Sequence, residues 1–163
     1  MIQLYSFKKN IYSVDMMIAY VRNKKPQEIH VRVEDFVPEL NQNIWGNPSK
    51  GIRYSPMSVI LTPTSNPNEY DRIKKANLDF PIIISENGNI IDGAHRACKA
   101  YLDKIEYIRA YMFGPDLIEK FLIDKEGNWS RVNKIPIHDF IVTYTNRFGG
   151  LKEPKELQEL HST

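Results

Sequence analysis

Asp92, Gly93, His95 and Arg96 stand in one short string, Asp-Gly-Ala-His-Arg, and their types suit the handling of a phosphate group. If a strand ends at Asp92, turns at Gly93 and a helix starts at Ala94, the first backbone N–H groups of that helix have no carbonyl to bond and point outward. The helix dipole adds roughly half a positive charge at that end, and a glycine lacking Cβ lets a phosphate oxygen approach the backbone. His95 and Arg96 supply side-chain donors, the guanidinium being matched to two phosphate oxygens at once. Basic residues at a helix start oppose its dipole, at a cost of roughly a few tenths of a kcal/mol each, so an adjacent pair asks for an anionic partner.

Asp92 does not belong in a plain anion cradle, because a carboxylate repels phosphate unless a metal ion or a proton lies between them. Its presence points to Mg²⁺, which commonly shares a carboxylate with phosphate oxygens, or to acid–base work. The plainer alternative is that Asp92 caps the helix and that Asp-Gly is an ordinary turn.

The elements that would position this string are readable around it. Pro81 to Ser85 is a continuous apolar run, and Asn87-Gly88 after it predicts a hairpin with a type I′ turn, returning over Asn89 to Asp92. Ala94, Ala97, Cys98 and Tyr101 share a helical face, and Ile108, Ala110 and Met112 alternate as a strand after an Asp103-Lys104 turn. The local order is β-turn-β-α-β.

Upstream, Ser13 is placed to cap a helix through Arg22 that Pro26 ends, and Ile29, Val31 and Val33 alternate as a strand. Glu34 to Leu40 predicts one helical turn broken by Pro38, and the Asn-, Gly- and Pro-rich residues 41–51 predict a structured loop around Trp45. Ser55-Pro56 opens a helix, and Glu69 to Ala76 makes a further helical turn. Downstream, Gly114-Pro115-Asp116 opens a helix through Phe121, residues 125–128 form a polar loop, and Ile137 to Phe148 keeps helical spacing with Gly149 as its stop.

A chain of 163 residues with 42% hydrophobic side chains supports one domain, assigned to 1–150, with 151–163 as a frayed tail. With 22 basic against 20 acidic side chains, bulk charge does not signal nucleic acid or a membrane surface. The lone Cys98 excludes an internal disulfide and fits a reducing, cytoplasmic setting, and no segment reads as a signal peptide or as a membrane helix.

The string PIIISENGNIIDGAHRACKAYL resembles the core of the ParB/sulfiredoxin superfamily, and HVRVEDFVPEL is similar to the strand and short helix with which such domains begin. The resemblance implies an α+β fold, a small mixed sheet with flanking helices, and nucleotide phosphates bound at the glycine turn. It covers sulfiredoxins, ParB-type CTPases, a free serine kinase and ParB-like nucleases, so function diverges on the scaffold. Sulfiredoxin keeps its cysteine where this chain has Ala94, and Cys98, on the apolar face, reads as a buried small residue. ParB proteins carry paired arginines at the turn and helix-turn-helix segments after it, and little of that fits in the chain after Met112.

The Asp-Gly-x-His-Arg form is closer to the kinase-like branch, in which an N-terminal carboxylate serves as base on the acceptor. Glu34 and Asp35 are the candidates, no motif chooses between them, and an exposed helix-start role is equally open. The expectation is an enzyme that binds ATP or another nucleotide with Mg²⁺ and transfers or hydrolyses a phosphoryl group. Gly93, Ala94, His95 and Arg96, with Arg53 as a further contact, would hold the phosphates. Asp92 would bind the metal or orient the nucleophile, and His95 would donate to a phosphate oxygen. Alternatives are a ParB-like nuclease or a module for DNA or RNA, and a non-catalytic adaptor. Arg72, Lys74 and Lys75, with Trp45 and Tyr54, offer a face for nucleic acid, while a solvated helix face is the plainer reading.

Overall fold

The computed structural model describes residues 3–149. In chain order it contains β1 (Leu4–Phe7), β2 (Asn10–Ser13), α1 (Val14–Lys24), β3 (Ile29–Arg32), α2 (Val37–Leu40), β4 (Trp45–Asn47), β5 (Ile52–Tyr54), α3 (Pro56–Leu61) and α4 (Pro67–Lys75). There follow β6 (Ile82–Ser85), β7 (Ile90–Asp92), α5 (Ala94–Leu102), β8 (Tyr107–Phe113), α6 (Pro115–Glu119), β9 (Leu122–Asp124), α7 (Trp129–Val132) and α8 (Ile137–Phe148). The class is α+β. Residues 27–113 gather into one compact unit, and the described parts of 1–26 and 114–163 into a second. This division falls inside the span 1–150 read from its length as a single domain, and the tail 151–163 lies outside the described residues.

In the unit formed by 27–113 the sheet order is β3-β8-β6-β7. β6 and β8 run parallel, with Ile83 opposite Tyr111, while β3–β8 and β6–β7 are antiparallel. Parallel neighbours need a crossover, here β7 and α5. Ile82, Ile83 and Ile84 are all at most 2% exposed, which explains why β6 reads as a continuous apolar run rather than an alternating one. On one face Ile82, Ile84, Ile108 and Ala110 meet Ala97, Cys98 and Ala100 of α5 and residues of α3 and α4. The outer edge at β7 is partly closed by Glu39, whose two carboxylate oxygens accept the Ile90 N–H at 3.1 and 3.0 Å. Burial raises the Glu39 carboxyl above its ordinary value, and the Ile90 hydrogen bond offsets part of that.

Local details depart from the sequence reading for identifiable reasons. The hairpin turn is not type I′: Gly88 has φ +83°, but Asn87 is absent from the described positive-φ residues. The Gly88 N–H donates to the Ser85 carbonyl and the Ser85 N–H to the Asn89 carbonyl, a three-residue loop with glycine at the bulge. Val33 does not extend β3 but starts a 3₁₀ turn, Val33–Phe36, and Pro38 sits in the first turn of α2, where no N–H is needed, so it breaks nothing. In β8 the alternation stops at Met112, which is 47% exposed, and Phe113 takes the buried place at 1%. The loop over 41–51 resolves into the start of the β4–β5 hairpin, with Trp45 opposite Tyr54. Gly46 is required there, since a Cβ would lie 2.3 Å from the Ile52 carbonyl oxygen.

In the second unit the sheet order is β1-β2-β9. Ser13 caps α1 as expected, its hydroxyl accepting the Met16 N–H at 3.1 Å. The helix expected through Phe121 ends at Glu119, and Phe121, fully buried, precedes a strand instead. Asn128 caps α7 by accepting the Arg131 N–H, and α8 spans Ile137–Phe148 with Gly149 after it, as the spacing predicts. No helix among the described residues is long and apolar enough to cross a membrane.

Candidate functional site

The Asp-Gly-Ala-His-Arg string lies where its types suggest, at the β7-to-α5 junction, with Gly93 as the helix N-cap residue at φ +111°. A Cβ on Gly93 would stand 2.5 Å from Ile82 Cγ2 and 3.0 Å from Arg96 Nη2. The missing side chain therefore makes room first for Ile82, rather than for a ligand oxygen as read from sequence. Among the described residues no acceptor is bonded to the N–H groups of Ala94, His95 or Arg96, which open the helix. Ala94 packs against the core and offers the site only its backbone.

Arg96 and His95, adjacent in sequence, are used differently. Arg96 folds back: Nη2 donates to Asp92 Oδ2 at 2.8 Å, and Nη1 donates to the carbonyls of Pro81 at 3.1 Å and Phe80 at 3.3 Å. With Arg96 and Asp92 side chains only 18% and 23% exposed, this pair ties the approach to β6, the end of β7 and the first turn of α5 together. The phosphate fork expected of Arg96 is thus occupied by the protein itself. Asp92, expected to hold Mg²⁺, faces a guanidinium that would repel a dication, so the residues present do not fit magnesium at that carboxylate. An i,i+4 Asp–Arg pair across a helix start accounts for both residues.

His95 projects the other way. Its ring stacks on Trp45, with centroids 4.6 Å apart and planes at 21°, and its Nε2 lies 2.9 Å from Glu69 Oε2. Glu69 in turn accepts from Arg72 Nη1 at 2.8 Å, and Tyr54 meets Trp45 edge-on at 6.4 Å. Four elements build this cluster: α5 supplies His95, α4 supplies Glu69 and Arg72, and the β4–β5 hairpin supplies Trp45 and Tyr54. Lys99 Nζ donates to the Lys74 carbonyl at 2.9 Å and fastens α5 to α4 beside it. Burial alone would raise the Glu69 carboxyl, but the hydrogen bonds and charges of His95 and Arg72 hold it below its ordinary value. Glu69 is therefore a carboxylate at neutral pH and can only accept, which makes His95 Nε2 the donor and leaves Nδ1 as the ring nitrogen outside this bond. The Tyr54 hydroxyl is raised by burial and by the Glu69 charge, with Arg72 offsetting part of it.

The remaining expected residues are not brought to this turn. Glu34 pairs with Arg32 at 3.0 Å, its side chain 78% exposed. It lines a cavity of about 570 Å³ with Tyr101, Leu102 and Lys104, at the C-terminal end of α5, whereas Asp92 and His95 are at its N-terminus. Arg53 sits opposite Gly46, one residue before Tyr54, so the strand pleat sends it to the hairpin face away from Trp45 and Tyr54. The basic run on α4 is solvent-exposed, as the plainer reading has it, with Arg72 paired to Glu69, Lys75 to Asp71 at 2.7 Å, and the Lys74 ammonium over the Tyr70 ring. Cys98 is fully buried, and burial first, then the Glu69 charge, pushes its thiol up to about 12, so it holds no thiolate at neutral pH.

Glu69 is the residue that sequence reasoning missed. It was legible only as a helix-start acid three residues before Arg72, because its partner His95 lies 26 residues away and nothing local marks the pairing. No family model, curated protein or solved structure matches this chain.

Proposed function

We propose that the unit formed by residues 27–113 binds the phosphates of a nucleotide, ATP or another, at the Gly93–Arg96 turn and transfers or hydrolyses a phosphoryl group, on a ParB/sulfiredoxin-like scaffold in the cytoplasm. The observation that carries this reading is the start of α5, where the N–H groups of Ala94, His95 and Arg96 have no described acceptor and stand beside a histidine already oriented by a carboxylate and an indole. Backbone N–H groups at a helix start bind phosphate oxygens without side-chain specificity, and the dipole favours the anion. His95 would act next to those oxygens, where charge develops as the phosphoryl group moves.

Two roles change relative to the residue types alone. Arg96 and Asp92 maintain the turn instead of touching ligand and metal, and no step is assigned to Glu34 or Arg53. The test is a thermal-shift screen of nucleoside mono-, di- and triphosphates with and without Mg²⁺, since a ligand bound only by the native state raises the melting temperature. A triphosphate that shifts the wild type, and shifts His95→Ala by less, supports the reading. A shift with DNA or RNA in place of any nucleotide would favour a nuclease or nucleic-acid module, and nucleotide binding without turnover would favour an adaptor.

A further inference from the structure

We infer that His95 is itself a phosphoryl acceptor: Nδ1 takes the terminal phosphoryl group of a nucleoside triphosphate as a phosphohistidine, and Glu69 is the positioning residue that prepares the ring. This rests on the nucleotide reading for its donor, though not for the reactivity of the ring.

The argument starts from atoms. Because the Glu69 carboxylate can only accept, the 2.9 Å contact holds a proton on Nε2, and Nδ1 is the nitrogen whose lone pair is available when the ring carries a single proton. Trp45 covers one ring face, which restricts rotation about the side-chain bonds and keeps Nδ1 in one direction. The side chain is still 28% exposed, enough for a small reactant to reach it. A histidine held by a carboxylate usually serves as base to a neighbouring hydroxyl or thiol. Among the described residues no hydroxyl or thiol is bonded to the ring: it hydrogen-bonds Glu69 and stacks on Trp45, and the Cys98 thiol is buried. The Tyr54 hydroxyl, raised by burial and the Glu69 charge, keeps its proton, which leaves the ring nitrogen as the nucleophile of the cluster.

The step balances as follows. The Nδ1 lone pair forms an N–P bond while the bond from the terminal phosphorus to its bridging oxygen breaks, and the nucleoside diphosphate leaves with that electron pair. The ring becomes an imidazolium whose Nε2–H stays bonded to Glu69, the carboxylate offsetting the new charge. Water or an acceptor hydroxyl then attacks phosphorus, the N–P electrons return to Nδ1, and the proton of the attacking group goes to solvent.

Two donors separate the parts of this inference. Phosphoramidate, a small histidine-phosphorylating reagent, needs no nucleotide site, whereas ATP does. After an alkaline quench, mass spectrometry of the full chain should find one acid-labile, base-stable phosphoryl group on His95 from either donor, and none in His95→Asn. Glu69→Ala should slow labelling by about a hundredfold, in the range of lost acid–base positioning, and remove the hydrogen-bonded, slowly exchanging Nε2–H resonance expected in ¹H–¹⁵N spectra of the ring. Glu69→Gln, whose amide oxygen still accepts, should restore that resonance and part of the rate. If nucleotide raises the melting temperature but neither donor labels His95, the acceptor role is overturned and the nucleotide reading stands. If phosphoramidate labels His95 and no nucleotide binds, the ring is a nucleophile, but the triphosphate donor and the proposed function both fail.

Discussion

Each unit contains an aspartate–arginine pair at a turn, and the two differ in what they leave over. Asp124 accepts from the Glu126 and Asn128 N–H groups and from Arg131, whose Nη2 also donates to the Ile123 carbonyl. The Asn128 N–H above all, and then Arg131, holds the Asp124 carboxyl below its ordinary range. Every group named in that loop is engaged in keeping the loop. At the β7–α5 turn Asp92 and Arg96 do the same work, but the next side chain, His95, is held by its neighbours and still has a ring nitrogen to spare. An acid–base pair at a turn is thus weak evidence of a site, whereas an oriented group with one unassigned atom is stronger evidence.

That contrast can be broken by substitution, in order of expected effect. Gly93→Ala should cost the most, about 3 kcal/mol, because it forces a positive φ and drives a Cβ against Ile82 and Arg96; urea denaturation measures it. Arg96→Ala should cost about 1–2 kcal/mol, leaving a half-buried Asp92 and two carbonyls unpaired. If Arg96 instead served a ligand, its removal would leave stability nearly unchanged and abolish nucleotide binding. His95→Ala should show that ligand-side pattern, changing stability by under about 1 kcal/mol while reducing the nucleotide-induced thermal shift.

The smallest effect is in pH. Glu69 and Asp124 both have folded-state carboxyls lowered from ordinary values of 4.5 and 3.8, so their contribution is complete above those values and is lost as pH falls below them. The urea midpoint should therefore decline on acidification through that window, and Glu69→Gln should flatten the upper part of the decline. A midpoint that rose on acidification would contradict the sign.

The sequence carried the hairpin, the glycine turn, α5 and α8, because apolar periodicity and Gly or Pro punctuation are local signals. β1, β2 and β9 had no such signature: each is at most four residues long and defined by pairing partners elsewhere. For the site, residue type marked the turn and gave Arg96 to phosphate and Asp92 to a metal, where the structure pairs them with each other. Asp92–Arg96 is an i,i+4 pair and was readable as structural. Glu69–His95 depends on packing α4 against α5, and Trp45 reaches the ring from a hairpin that composition showed only as a loop.

The most direct test of the turn as a phosphate site is a titration of the full chain with ATP, followed by backbone amide chemical shifts. The expected result is saturable movement centred on Ala94, His95 and Arg96, needing more ATP in His95→Ala. Movement centred on the Glu34 cavity, or none at any concentration, would contradict it.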